Sequence, residues 1–346
     1  MTWSDIKGHD EIVRRFRRAV VRNRLASTFL FVGPTGIGKM KFARELAKAL
    51  LCQQHHETEL LACDSCPACR QVAAESHPDL EVVSKPADKS VIPIDLLIGD
   101  ADHRRREGLC HNISLKPFCG GRRIAIINDA DCLNQEGANC LLKTLEEPPA
   151  RSVIILISAS EQKQLPTIRS RCQVVRFRPL AHEIIAELLA AEEGVESPAD
   201  AQRLAQLSEG SVARASEYSD AAAWEFRQTL FAHLSKSDWN SQQLVGAITA
   251  YVEEAGKDAT ARRERLVNVV NQTANYFRHV MREATAMDIA SIGDSSASGT
   301  EWTSDARLAA ECVDRCLVAE GHVHANANQA TLIECWIDDL ATLTRT

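Results

Sequence analysis

The chain has 346 residues, 45% of them hydrophobic and 25% charged, and it carries a net charge of −7. This length predicts two or three domains, and the acidic balance excludes a protein that binds nucleic acid through its overall charge, so any DNA contact must be local or arise within an assembly. No apolar run approaches the roughly 20 residues that span a bilayer, and the first residues lack the apolar core of a signal peptide, so we expect a cytoplasmic protein with no membrane partner.

Strands and helices alternate over about the first 180 residues, which predicts an α/β domain with a parallel sheet. The predicted strands are 28–32, 80–83, 123–127, 152–158 and 173–177. Helices are predicted around them at 10–21, 39–51, 94–106, 134–145 and 167–169. Beyond residue 179 the pattern is helical throughout. A polar loop rich in Ser, Gly, Asp and Thr is predicted at 287–304.

A phosphate-binding loop with one altered position joins the first strand to the next helix. Residues Gly33-Pro34-Thr35-Gly36-Ile37-Gly38-Lys39 fit G-x-x-x-x-G-K, in which backbone N–H groups cradle phosphates and the lysine reaches their outer oxygens. The next residue, normally a Ser or Thr that helps to hold Mg²⁺, is Met40, and a thioether is a poor ligand for that hard cation. The alternative is a Gly-rich turn formed by chance. The candidate nucleotide-binding residues are Gly33, Thr35, Gly36, Gly38 and Lys39.

The second expected magnesium ligand is also altered. The strand 123–127 is followed by Asn128-Asp129, where P-loop ATPases place an Asp that holds Mg²⁺ and commonly a Glu that orients water. Asn128 is neutral, and Asp129 is one methylene shorter than Glu. Both residues could instead merely cap the following helix. Since Met40 and Asn128 together remove both expected protein ligands, we predict that hydrolysis by this chain is weak or absent.

Four cysteines cluster after the P-loop helix, within an insertion at 52–69. Three follow a C-x₂-C-x₂-C pattern, and in a reducing compartment such a cluster indicates metal rather than disulfides. Four thiolates suit a structural Zn²⁺ with no open coordination position. An iron–sulfur cluster and an empty reduced loop are the alternatives. The candidate ligands are Cys52, Cys63, Cys66 and Cys69.

With these motifs in place, the chain resembles the AAA+ subunits of sliding-clamp loaders, most of all the delta-prime type of bacterial DNA polymerase III. The resemblance covers almost the whole chain. It implies an AAA+ P-loop domain at 1–179, a helical lid at 180–220 and an all-α collar at 221–346. Besides the P-loop and the cysteine insertion, it is carried by Trp3-Ser-Asp-Ile-Lys-Gly8, Asn139-Cys-Leu-Leu-Lys-Thr-Leu-Glu-Glu-Pro-Pro149, Leu165-Pro-Thr-Ile-Arg-Ser-Arg-Cys172 and Asn326-Ala-Asn-Gln-Ala-Thr-Leu-Ile333.

The resemblance also implies partners and a role for one arginine. It implies a hetero-pentamer with tau/gamma-type and delta-type subunits, acting on the sliding clamp and primed DNA as part of the DNA polymerase III holoenzyme. ATP lies at subunit interfaces, and the arginine of Ser170-Arg171-Cys172 reaches into the neighbour's site. A guanidinium stays charged and can neutralise charge that develops on the γ-phosphate. A structural ion pair is the alternative for Arg171, and Arg169 is a less favoured substitute.

Departures from the active subunits point to a non-catalytic member. The segment Ala159-Ser160 lacks the usual Thr/Asn pattern, and Ala213 occupies an expected arginine position, with Arg214 turned about 100° away on its helix. We therefore predict a delta-prime-type subunit that binds nucleotide weakly at most and supplies Arg171 to a neighbour. An active tau/gamma-type ATPase and a zinc-ribbon nucleic-acid binder with a vestigial P-loop are the alternatives.

Overall fold

The computed structural model describes residues 3–344 apart from 87–88, 105, 120, 192–196, 218–219, 237–239 and 291–304. The chain divides into two compact units, Met1–Ser219 and Asp220–Thr346. The three-domain division at 179 and 220 stays a prediction. None of the described helices is long and apolar enough to cross a membrane.

The first unit is built on a five-stranded parallel sheet with the strand order β2-β3-β4-β1-β5. Thr28 of β1 pairs with Ile154 of β4, and Phe29 pairs with Gln173 of β5. The α/β class and all five strands are confirmed, although β5 ends at Arg176, one residue before the predicted end. The strands are β1 Thr28–Val32, β2 Leu80–Val83, β3 Arg123–Ile127, β4 Ser152–Ser158 and β5 Gln173–Arg176.

Apolar side chains of β1 alternate between two cores, one on each face of the sheet. Phe29 and Phe31 pack with Phe42 on one face, and Leu30 and Val32 pack on the other. Every residue of β1 and β4 is buried, as expected for central strands covered on both faces. The cores therefore fix the carboxyl ends of β1, β3 and β4 at one edge of the sheet.

Most helices of the first unit lie where the sequence predicts them. The helix expected over 94–106 is wrong: α4 ends at Ile98, because Gly99 has a φ of +81° and Asp100 accepts N–H bonds from Asp102 and His103 in a turn. Two further helices, α3 and α5, were not predicted. The helices are α1 Asp10–Val21, α2 Lys39–Leu51, α3 Pro67–Ala73, α4 Ile94–Ile98, α5 Leu109–Asn112, α6 Gln135–Glu146, α7 Pro166–Arg169, α8 His182–Ala190, α9 Pro198–Leu207 and α10 Val212–Glu217.

Helices α8 to α10 share their own small apolar core, which contains Leu180, Ile185, Leu189 and Leu204. Two short 3-10 turns, Glu57–Glu59 and Ala130–Cys132, lie in the cysteine insertion and after β3.

The described residues of the second unit form helices joined by short turns. Its core includes Phe277, Trp336 and Ile337. The loop predicted at 287–304 begins later than expected, since α13 continues to Ala290; the rest, 291–304, lies outside the described residues. The helices are α11 Ala221–Leu234, α12 Ser241–Glu253, α13 Ala259–Ala290, α14 Ala306–His324 and α15 Gln329–Thr344.

Candidate functional site

The P-loop connects the end of β1 to the first residue of α2. Gly36 has a φ of +75°, and a side chain there would collide with Ser211 and Ala213 at the start of helix α10. The N–H of Val212 donates to the Gly36 carbonyl at 3.0 Å. Glycine is therefore required at position 36 both by backbone conformation and by the close approach of helix α10.

Lys39 is buried at the start of α2 and points back into the loop. Its Nζ donates to the carbonyls of Gly33 and Pro34, at 2.5 and 2.6 Å. Burial lowers the pKa of Lys39 to about 8, against the opposing charges of Asp131 and Asp129. The ammonium is still protonated at neutral pH, so an anion in the loop would meet a positive charge held in a poorly hydrated site.

A cavity of about 510 Å³ opens beside the loop. It brings together Lys39, Met40 and Asn128, three positions that the sequence analysis singled out. The two altered magnesium positions thus face one space, and neither brings a negatively charged oxygen to it. The remaining lining residues are Thr35, Gly36, Gly38, Lys41, Asp129, Asp131, Ile157, Ser158, Ala159, Val212, Ala213 and Ser216.

The carboxylates at the end of β3 are already engaged within the protein. Asn128 Nδ2 donates to Asp129 Oδ2 at 3.0 Å, and burial raises the pKa of Asp129. Asp131 accepts bonds from the Ala159 N–H at 2.6 Å, from Gln164 Nε2 at 3.1 Å and from the Ser158 hydroxyl. Asp131 was missed by the sequence analysis; its place two residues after Asp129, beyond a buried strand, was the available signal.

A buried histidine supports the loop from the N-terminal segment. His9 Nε2 lies 2.8 Å from the Ile37 carbonyl, and its ring meets Phe177 edge-on at 4.9 Å. Burial lowers the pKa of His9, which favours the neutral ring that donates one N–H to Ile37. This residue was not singled out in the sequence, because a lone histidine beside a glycine has no distinctive spacing.

Helix α10 presents a small side chain to the cavity. Ala213 lines it, whereas Arg214 forms an ion pair with Glu209 at 2.8 Å. Arg214 is not among the residues that line the cavity. The position where active subunits are expected to carry an arginine therefore brings no cation to the phosphate site.

Arg171 lies just after the short helix α7 and is not among the residues that line the cavity of its own chain. Its carbonyl accepts a bond from the Thr28 hydroxyl at 2.7 Å, which ties this segment to β1. Its guanidinium donates to the Thr167 carbonyl at 3.0 Å and lies 3.4 Å from a Glu146 carboxylate oxygen. Arg169, in contrast, pairs with Glu161 at 3.0 Å. The side chain of Arg171 is 30% exposed and its Glu146 partner 60% exposed, so this pair is a surface pair.

The four predicted cysteine ligands converge on one point. Their sulfur atoms all lie within 4.8 Å of one another, close to the edge of about 3.8 Å that tetrahedral Zn–S bonds require. The N–H groups of Cys66 and Cys69 point to the sulfurs of Cys63 and Cys66, at 3.3 and 3.4 Å. This arrangement fits one tetrahedral ion better than an iron–sulfur cluster, whose ligands are spread over several irons.

The unpredicted helix α3 is part of this cysteine site. Cys66 occupies its N-cap position and Pro67 its first position, a combination typical of helix starts. Hydrogen bonds from Ser65 lower the pKa of Cys63 to about 6, whereas burial raises that of Cys69. The sulfur of Cys63 is therefore set up by backbone and side-chain donors to carry negative charge.

Helix α2 links the cysteine site to the P-loop. Cys52 follows its last residue, and Lys48 on its surface pairs with Asp64 at 2.7 Å. The indole N–H of Trp3 donates to the Leu60 carbonyl at 2.8 Å, and its ring lies 5.2 Å from that of Phe42. The cysteine insertion thus holds both the far end of α2 and the N-terminal segment.

Comparisons with known proteins find sequence similarity between this chain and DNA polymerase III subunits. The family model described as "DNA polymerase III, delta subunit" matches residues 8–181, about half of the chain. The delta-prime subunit of Pseudomonas aeruginosa is 34% identical over 200 residues, covering 53% of this chain and 57% of that protein. The delta-prime subunit of Bacillus subtilis is 31% identical over 220 residues, covering 63% and 62%. The chain thus spans about three-fifths of these two relatives.

Tau and gamma subunits are also similar to this chain. The tau subunit of Salmonella typhimurium is 28% identical over 302 residues, covering 84% of this chain and 43% of that protein. Among solved structures, a gamma-subunit-related protein of Thermotoga maritima aligns over 97% of this chain and 99% of its own, with 16% identity and a TM-score of 0.43. Because the family model matches half of the chain, the chain belongs to the family that this model describes, the delta subunit family of DNA polymerase III.

Proposed function

We propose that this chain is a delta-prime-type subunit of the bacterial replicative clamp loader, which takes part in loading the sliding clamp onto primed DNA. It hydrolyses ATP weakly or not at all, and it supplies Arg171 to the site of a neighbouring subunit. The observation that carries the proposal is that Met40 and Asn128 face the same cavity as Lys39. The loop that would hold phosphates is present. Neither of the two side chains expected to hold the accompanying magnesium ion is present.

The electrostatics of the cavity support weak hydrolysis. A triphosphate would depend on Lys39, Lys41 and the loop N–H groups for compensation of its charge, since Ala213 adds no cation. Asp129, the candidate for orienting water, has a raised pKa and bonds to Asn128. Without a metal to neutralise the charge that develops on the transferred phosphoryl group, catalysis loses its main electrostatic support. Nucleotide binding at Gly36, Gly38 and Lys39 without Mg²⁺ is compatible with this arrangement.

Arg171 is suited to act on another subunit. Its contact with exposed Glu146 is worth about 0–1 kcal/mol, so the guanidinium can leave that pair when a phosphate anion is offered. Its backbone, however, is fixed to β1 through Thr28. A charged head in a weak surface pair, carried on a fixed backbone, suits an arginine supplied in trans.

Zinc at the four cysteines would be structural. Four thiolates complete a tetrahedral shell, so no position is left for substrate or water. In the proposed assembly the partners are tau/gamma-type and delta-type subunits in a hetero-pentamer, with the clamp and primed DNA. The metal would secure the insertion that holds the end of α2 and Trp3.

The test compares Arg171→Ala with the matched control Arg169→Ala in a reconstituted loader. We expect Arg171→Ala to lower the DNA-stimulated rate of ATP hydrolysis at the one site that this arginine completes. The expected loss at that site is at least about 10³-fold, as for other arginines supplied in trans. Arg169→Ala should leave this activity close to that of the wild type. Equal activity of the Arg171→Ala complex, with assembly verified by size-exclusion chromatography, would refute the arginine's role.

An active ATPase of the tau/gamma type is the second candidate, favoured by the broader match to tau subunits and by the preserved Lys39. The isolated chain distinguishes the two. Magnesium-dependent turnover that Lys39→Ala abolishes would establish the active type. Turnover no higher than that of Lys39→Ala would support the non-catalytic subunit.

A further inference from the structure

Helix α1 concentrates positive charge in a chain that is acidic overall. Residues 10–24 contain six arginines and two acids, a local charge of +4, although the whole chain carries −7. This segment contains no lysine. All six arginines are exposed. They are Arg14, Arg15, Arg17, Arg18, Arg22 and Arg24.

The core fixes which way this basic surface points. Ile12, Val13, Phe16 and Val20 bury one side of α1 in the sheet's core, so the arginines are held on the opposite side. Those at positions 14, 18 and 22 follow one another at four-residue intervals, about 6 Å apart along the axis. The result is a line of guanidinium groups on a rigid support.

These arginines are poorly compensated within the chain. Arg15 pairs with Glu11, which itself lies in the first turn of the helix. The other five have no side-chain hydrogen bond or ion pair to any residue that the structure describes. Nearby Arg178 adds further positive charge on the side of Glu11. Several arginines elsewhere in the first unit do have acidic partners, as Arg122 has Glu57 and Arg176 has Glu161.

We infer that the outer surface of α1 and of the turn after it, defined by the six arginines, binds the phosphate backbone of a nucleic acid. Guanidinium groups form paired N–H bonds to phosphate oxygens, and a line of them matches a strand that carries one negative charge per nucleotide. The charge of the whole molecule does not oppose this contact, because surface charges more than about 10 Å apart are largely screened at 0.1 M salt.

The same face lacks what a protein partner would need. Protein interfaces are anchored by buried aromatic or large apolar side chains, whereas Val21, 60% exposed, is the one large apolar residue that α1 exposes. The cleft beside it, between α1 and β5, holds only about 70 Å³. That space is too small for an aromatic anchor, so an acidic peptide is the less favoured ligand.

This inference does not depend on the proposed role of the P-loop or of Arg171. It goes beyond the proposed function, because it assigns a particular surface of this chain to nucleic acid and requires no partner subunit. The intact isolated chain is therefore the right material for the test.

The experiment measures binding of fluorescein-labelled 30-mers, duplex and single-stranded, by anisotropy over a salt series. For the duplex we expect log K to fall with log[salt] with a slope of about −5, as six phosphate contacts predict. The triple variant Arg14→Gln, Arg17→Gln, Arg18→Gln should reduce that slope by about 3 and weaken binding at 0.1 M salt by about 100-fold. Tighter binding of the single-stranded 30-mer than of the duplex would identify single-stranded nucleic acid as the form that this surface binds.

Two control proteins make the outcome decisive. The variant Arg203→Gln, Arg307→Gln, Arg315→Gln has the same net charge as the test variant but changes exposed arginines elsewhere, and it should bind like the wild type. Replacing Arg14, Arg17 and Arg18 by lysine keeps the charge and should keep most of the salt slope.

Three results would overturn the inference. One is an equal loss of binding in the control variant, which would mean that net charge alone matters. Another is a wild-type slope near zero. The third is a 30-residue poly-glutamate peptide that binds as tightly as DNA with the same dependence on the α1 arginines, which would identify an acidic protein as the ligand. Thermal unfolding of each variant verifies that it is folded.

Discussion

The two ends of helix α2 carry candidate sites that differ in whether the expected ligand side chains are present. At its N-terminus the P-loop keeps its glycines and Lys39, but the side chains expected to hold magnesium are Met40 and Asn128. Just past its C-terminus, Cys52 joins three other cysteines in a complete set of four candidate sulfur ligands. The two sites are 13 residues, about 20 Å, apart along one helix.

The difference shows which parts of a site the fold itself maintains. A phosphate cradle is made of backbone N–H groups, and the packing of β1 and α2 preserves it whatever side chains follow. A metal site is made of side chains, so it disappears with their replacement. The cysteine insertion also packs few other apolar residues, Ala62 and Ala68 among them, and so depends on its ligands for its own structure.

The largest expected effect comes from the cysteine end. Cys66→Ser removes a buried ligand and should abolish binding of about one equivalent of zinc, because an alcohol does not replace a thiolate. We expect a loss of stability on the order of 4 kcal/mol, seen as a fall in Tm of about 10 °C for the first unit. Metal analysis and thermal unfolding measure the two quantities.

The matched control is Cys335→Ser, which replaces an exposed thiol of α15. Its metal content and Tm should equal those of the wild type. If Cys66→Ser also retained both, the cysteine end would be an ordinary reduced loop, and the contrast between the two ends of α2 would disappear.

A smaller effect is expected at the other end, where restoring side chains should restore chemistry. The double variant Met40→Thr, Asn128→Asp returns a hydroxyl and a carboxylate to the cavity that Lys39 lines. We expect Mg²⁺ to tighten its ATP binding by about 100-fold relative to EDTA, whereas the wild type should change by less than about twofold. Isothermal titration calorimetry measures both.

Met40→Leu combined with Asn128→Ala serves as the control, since it changes both side chains without adding an oxygen ligand to hold the metal. An unchanged response to Mg²⁺ in the Thr/Asp variant would mean that the backbone of the loop, rather than its missing ligands, limits metal binding.

The success of sequence reasoning follows the same division between local and distant causes. The five strands were predictable because each is a short apolar run, and the cysteine set because its spacing is local. The helix expected over 94–106 was wrong because Gly99 and Asp100 form a turn that periodicity does not register. Helix α3 was missed because its N-cap residue, Cys66, was interpreted only as part of the cysteine pattern.

Distant partners account for the site residues that were missed. Asp131 acts through Ala159, 28 residues away, and His9 acts through the Ile37 carbonyl, also 28 residues away. Neither distance leaves a periodic trace in the sequence. The hydrogen bond between Gly36 and Val212 is more remote still, and the fold alone brings these residues together.

The smallest expected effect concerns the charge that remains in the P-loop. Burial lowers the pKa of Lys39 to about 8, so the lysine is charged below that pH and neutral above it. ATP binding in EDTA should therefore be full near pH 7.5 and weaken as pH rises, by about tenfold at pH 9 if only the charged form binds. The phosphates themselves titrate near pH 6 and stay fully charged over this range.

Fluorescence titration of an ATP analogue from pH 7.5 to 9.5 measures this dependence, and Lys39→Met is its control. The variant should bind weakly with no dependence on pH, since it has no group in the loop that titrates in this range. Wild-type affinity that stays constant to pH 9.5 would show that the bound phosphates hold the proton on Lys39. The buried ammonium would then be as strong an anion ligand as in a complete P-loop, and the loss of function at this end of α2 would lie in the metal ligands alone.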